Sequence, residues 1–179
     1  MKNMRFIIII VMALAISSCS SEPSLQQYYI TNAENPNFMS FDVPASLLNL
    51  EKVDMDETQK KAIASLKKLN VLAFQKKEAN IADYEKQKAI IKTILKGPDF
   101  SELMKMNTEF GKATIQLKGD DDAIDEIVIY GDNDEKGLIL IRILGDNMNP
   151  ASFVQLIQAM EKSDLKGKGL EQLENFIKG

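Results

Sequence analysis

The chain has 179 residues, 45% of them hydrophobic, and carries 22 Lys and Arg against 26 Asp and Glu, a formal net charge of −4. It contains one cysteine and neither histidine nor tryptophan. These counts exclude Ser-His-Asp and Cys-His nucleophilic chemistry, histidine-ligated zinc and any internal disulfide, and the acidic balance argues against nucleic acid as a partner.

The first element is a processing signal. Met1 to Arg5 is a short basic stretch, Phe6 to Ile16 is apolar, and Ser17-Ser18 offers small residues for cleavage, the three parts of an export signal peptide over residues 1–18. The apolar run falls well short of the roughly 20 residues a helix needs to span a hydrocarbon core. Ile16-Ser17-Ser18-Cys19 resembles the lipobox of bacterial lipoproteins. That resemblance implies cleavage between Ser18 and Cys19, a diacylglycerol on the Cys19 thiol and acylation of the new amine. One acyl chain gives marginal membrane binding, whereas two or more anchor a protein stably. Without residues 1–18 the chain has 20 basic against 26 acidic residues, a net charge of −6, so the acyl chains alone are expected to hold it to the membrane.

Residues 19–37 are polar and hold two prolines, and read as a lipidated N-terminus and flexible tether, with Tyr28-Tyr29-Ile30 a short segment that docks on the domain. A single globular domain is expected over residues 38–179. Phe38 to Val43 alternates as a strand stopped by Pro44, and Ala45 to Leu50 suits a helical turn. Asp56 is a candidate N-cap for a helix over Glu57 to Lys68, with Ala62, Ile63, Leu66 and Leu69 on one stripe. Asn70 to Phe74 reads as a strand and Glu78 to Lys96 as the longest helix, stopped at Gly97-Pro98, its charges forming a solvated face.

Ser101 to Met104 reads as a turn, followed by strands at Ala113 to Lys118, Ile124 to Tyr130 and Leu138 to Leu144. The Asp- and Gly-rich connections make an antiparallel meander of these three. Pro150 opens a helix to Lys162, and Leu170 to Lys178 forms a last one. The expected fold is α+β, in the order β-α-β-α-β-β-β-α-α: one sheet with a C-terminal antiparallel meander and helices mainly on one face. The other face would then be open at Thr114 and Gln116, with Val128 and Tyr130 as an apolar patch.

No catalytic, cofactor-binding or metal-binding residue is assigned. Ser65-Leu66-Lys67-Lys68 lies on an ordinary amphipathic stretch. Asp120-Asp121-Asp122 with Asp125 and Glu126, and Asp132 with Asp134 and Glu135, could offer oxygen ligands to calcium. If Asp132 is position one of an EF-hand loop, however, Lys136 occupies position five and Ile143 position twelve, where acceptors are needed. Gly167-Lys168-Gly169 lacks the strand and glycine pattern of a phosphate loop.

Asn35-Pro36-Asn37-Phe38 into Val43-Pro44-Ala45-Ser46-Leu47-Leu48, Gly119 to Glu126, and Leu144-Gly145-Asp146-Asn147-Met148-Asn149-Pro150 together resemble a Bacteroidota lipoprotein family known as domain of unknown function 4252. The resemblance implies a small envelope lipoprotein without an assigned reaction; Cys19 is the one site residue it carries over. The resulting expectation is a non-catalytic, lipid-anchored binding or adaptor module, on the outer membrane facing the periplasm, with an envelope protein as partner. The alternatives are a small-ligand or calcium-binding sensor and a carboxylate-based hydrolase.

Overall fold

Leu69 to Phe74 is buried without interruption, which marks a strand covered on both faces. In the computed structural model, which describes residues 24–47, 55–108, 110–120, 123–162 and 175–176, this run belongs to β2 (Leu66–Gln75). It lies between β1 (Phe38–Pro44) and a later strand, β6 (Gly137–Met148). β3 (Phe100–Thr108), β4 (Gly111–Asp120) and β5 (Ala123–Asn133) complete a six-stranded sheet in the order β1-β2-β6-β5-β4-β3, antiparallel throughout. The fold is thus α+β with a C-terminal antiparallel meander. The meander has four strands, because Ser101 to Met104 is part of β3 and not a turn. A register shift between Glu102 and Met104 breaks the alternation there, so the segment lacks the period-two signature of a strand.

Among the described residues there are four α-helices: α1 (Leu25–Asn32), α2 (Glu57–Ser65), α3 (Ile81–Leu95) and α4 (Pro150–Lys162). They divide between the two faces instead of gathering on one. Leu72, Phe74, Val128, Tyr130, Leu138 and Leu140 face one side, where α1 and α3 bury Tyr28, Tyr29, Tyr84 and Ile91 against them. Val43, Leu69, Ile115, Leu117, Ile127 and Ile143 face the other, under Ala62 of α2 and Phe153 and Leu156 of α4. The sheet face expected to be open is therefore roofed over Val128, 0% exposed, and Tyr130, 6%, whereas Thr114 and Gln116 are only half-buried.

One of the two helices that roof it, α1, lies in the segment read as a tether. Ser24 caps α1 by accepting a hydrogen bond from the Gln27 amide, and Leu25, Tyr28 and Tyr29 are buried. The Tyr29 hydroxyl reaches the Asn70 and Leu140 carbonyls at 3.1 and 2.6 Å, and the Tyr28 hydroxyl donates to Gln87 Oε1 at 2.8 Å. Tyr28-Tyr29 is thus a docking segment, and α1 lies within residues 19–37, the stretch read as a tether.

Other boundaries move for identifiable reasons. Asp56 caps α2 in a reciprocal box with Gln59, but the helix stops at Ser65 because Leu66 and Lys68 pair with Gly145 and Leu144 of β6. Leu66 and Leu69 therefore belong to β2. The long helix starts at Ile81 after a 3-10 turn at Glu78–Asn80. Asn149 caps α4 by accepting from the Ser152 amide. The helix expected over Leu170 to Lys178 lies outside the described residues apart from Asn175 and Phe176; the Phe176 ring sits 5.9 Å from that of Phe110. No described helix is long and apolar enough to cross a membrane.

Candidate binding groove

The C-terminal half of α3 repeats lysine at a spacing of four, Lys88, Lys92 and Lys96, which places the three on one side of the helix. That side borders the strand ends of β5. Lys88 Nζ bonds Asp132 at 2.9 Å and Asp134 at 2.7 Å, and Lys92 Nζ bonds Asp132 at 2.9 Å. Burial disfavours the ionised form of Asp132, but the two ammonium groups outweigh it and hold the carboxyl below the usual range. Burial likewise works against the Lys88 charge, and its bonds to Asp134 and Asp132 overcome that and raise its pKa. The ring of Tyr84 lies beneath, with Lys76 Nζ 4.6 Å and Lys88 Nζ 5.4 Å from its centroid.

Beyond this cluster a groove of about 490 Å³ runs between α3 and the meander. Lys92, Leu95 and Lys96 form the helix side, Lys112, Thr114 and Gln116 of β4 the floor, Glu102 of β3 the outer rim, and Tyr130 and Asp132 the inner end. Strand alternation explains the floor: Ala113, Ile115 and Leu117 are spent on the opposite face, so their neighbours turn toward α3.

Two polar atoms here are buried and lack hydrogen-bond partners, Gln116 Oε1 and the Tyr130 hydroxyl. Burial raises the Tyr130 pKa, and the nearby Asp132 carboxylate raises it further, yet no hydrogen bond of ordinary geometry joins those two side chains. Buried polar groups are nearly always paired, with protein or with ordered water, so these two atoms mark the place in the groove where no protein group supplies a partner.

The residues singled out from the sequence disperse. Ser18 and Cys19 lie outside the described residues, as do Asp121, Asp122 and the side chain of Asp120. Glu126 is buried in an ion pair with Arg142. Asp132 and Asp134 do come together, but around lysines. Thr114, Gln116 and Tyr130 meet in the groove, whereas Val128 is core. Sequence reasoning missed Lys92, Lys96 and Lys112; the four-residue lysine repeat was the available signal, since a purely solvated face has no need to align its cations.

These features define an antiparallel-sheet α+β domain, helix-covered on both faces, with a lysine-rimmed groove beside its longest described helix. Residues 28–156 match the family described as a domain of unknown function (DUF4252), and the chain belongs to that family. The match begins in α1, at the tyrosine that docks on α3, and ends in α4. No curated protein and no solved structure matches the chain.

Proposed function

We propose that this protein is an exported bacterial lipoprotein whose folded domain is a non-catalytic binding module for a protein of the cell envelope. In this reading residues 1–18 are the signal peptide, cleavage falls between Ser18 and Cys19, and acyl chains on Cys19 hold the domain to the outer membrane on the periplasmic side. The lipobox-like Ile16-Ser17-Ser18-Cys19 and the likeness to Bacteroidota lipoproteins support the anchor. Five residues lead from Cys19 to Ser24, where α1 is capped, and five residues span at most about 18 Å. An anchor at Cys19 therefore keeps the domain close to the bilayer surface, which suits a partner that is itself embedded in or bound to the membrane.

The observation that carries the binding role is the groove with its two unpartnered buried polar atoms. The absence of histidine and the engagement of Asp132 by Lys88 and Lys92 support binding over hydrolysis. Because Lys88 also holds Asp134, calcium at this turn would have to displace two ammonium groups.

Two measurements in cells test the reading. Cys19→Ala is expected to abolish palmitate labelling and leave the uncleaved precursor; labelling that persists would remove the anchor. A photo-crosslinking amino acid at Thr114, on the groove floor, is expected to yield a discrete adduct with an envelope protein. If adducts form equally from Glu85 on the exposed side of α3, the groove is not the binding surface.

A further inference from the structure

We propose that the groove binds an acidic residue in an extended segment of the partner protein, its carboxylate held by Lys96 and Lys112 and its flanking main-chain groups by Tyr130 and Gln116. The inference rests on the adaptor reading above and names what the partner presents.

Charge is the first support. The chain is acidic overall, yet three lysines converge on this groove. Its two carboxylates are already engaged: Asp132 by Lys88 and Lys92, and Glu102 by Lys105 at 3.1 Å. Among the described residues neither Lys96 nor Lys112 is in an ion pair. An incoming carboxylate thus meets uncompensated positive charge, and ammonium-carboxylate hydrogen bonds are stronger than neutral ones.

The two unpartnered atoms supply the second support, because they ask for opposite things. The Tyr130 hydroxyl, kept protonated by burial and by the nearby Asp132 carboxylate, makes no hydrogen bond of ordinary geometry and can donate to a better-placed acceptor. Gln116 Oε1 needs a donor. A peptide group offers both, a carbonyl oxygen and an N–H, whereas a bare carboxylate or sulfate offers acceptors alone. Leaving a buried polar group unsatisfied is costly, so a ligand that pairs both is favoured over one that pairs only the lysines.

Access is the third. The outer rim is Glu102 on β3, the strand at the edge of the sheet, so an extended chain can lie across the rim and continue past the domain. The volume falls in the ordinary range of ligand sites, about 300–1,000 Å³.

The test uses the full lipidated chain, isotope-labelled and held in neutral detergent micelles, with N-acetylglutamate N-methylamide as the probe. Its glutamine isostere, acetate and inorganic phosphate are the comparison compounds. Saturable shifts are expected at the Thr114 and Gln116 amides and the Gln116 side-chain amide. The isostere should bind at least tenfold more weakly, and a Lys96→Gln/Lys112→Gln double variant with an otherwise unchanged spectrum should weaken the glutamate probe at least tenfold. No shift with the probe, or equal binding of the isostere, would overturn the inference. Acetate or phosphate binding as tightly as the peptide probe would also overturn it and make the groove a small-anion site. A Thr114 adduct in cells without probe binding rejects the acidic-segment inference alone; probe binding without any adduct rejects the adaptor reading alone.

Discussion

Arg142 on β6 grips Glu126 on β5 with two parallel hydrogen bonds, Nε to Oε1 at 2.5 Å and Nη2 to Oε2 at 2.9 Å, with only 6% of the Glu126 side chain and 15% of the Arg142 side chain exposed. The pair lies on the face that α1 and α3 cover, close enough to Tyr29 for both charges to act on its hydroxyl. Removing one partner strands the other charge in a poorly solvated place, so Glu126→Ala should cost about 3–5 kcal/mol. Replacing both by Leu and Met of similar bulk should recover most of that loss. Urea unfolding of the single and double variants checks it, and a single variant within about 1 kcal/mol of the parent would mean that water reaches Arg142.

Phe74 joins three elements. Its ring is 0% exposed and meets Phe38 of β1 edge-on at 5.1 Å and Tyr84 of α3 at 6.1 Å, while Phe38 in turn meets Tyr28 of α1 at 6.3 Å. Phe74→Ala should destabilise the fold by about 3–5 kcal/mol, the range for a buried aromatic replaced by alanine. Since α1 leans on this column through Phe38, proteolysis near Asn32 should accelerate more in Phe74→Ala than in a variant of equal stability on the other face, such as Leu156→Ala.

How far the fold was legible depends on where periodicity survives. Val71 to Phe74, Ile127 to Tyr130 and Leu138 to Ile141 are continuous apolar runs, and all three belong to interior strands. α1 was hidden because Gln26, Gln27, Thr31 and Asn32 dilute its stripe, and its stability comes from tyrosines seated on the sheet. Helix propensity carried the expected α2 through Lys68, but pairing with β6 outweighed it. The groove was half legible: Thr114, Gln116 and Tyr130 follow from alternation, whereas their convergence with α3 lysines depends on which face that helix covers.

Gly137, where β6 begins, has φ +132°, and a Cβ built there would lie 1.9 Å from the Phe74 carbonyl oxygen. β2 cannot yield easily, since Gln75 pairs with Gly137 and the Lys76 amide donates to the Lys136 carbonyl at 3.0 Å. Gly137→Ala therefore meets both backbone strain, about 1–3 kcal/mol, and a clash. For a chain of this size each kcal/mol lowers Tm by about 2–4 °C. Calorimetry should show a drop of at least that order, and an unchanged Tm would refute the close approach.

The Asp132 cluster gives stability a defined dependence on pH. Burial opposes ionisation of Asp132, but hydrogen bonds from Lys88 and Lys92 outweigh it, so its pKa is lower folded than unfolded. Such a group contributes stability that is fully present above its unfolded value, about 3.9, and is lost as pH falls through the folded value. Lys88 has the opposite shift: burial lowers its pKa, but Asp134 and Asp132 raise it further. Its contribution is present below its unfolded value of about 10.4 and lost only as pH rises through the raised one. Across neutral pH both contributions hold. The stability advantage of the parent over Asp132→Asn should thus be constant near neutrality and shrink as pH drops below about 4. Unfolding curves for the two proteins at stepped pH measure that difference; one that persists unchanged into strong acid would show that Asp132 contributes packing rather than charge.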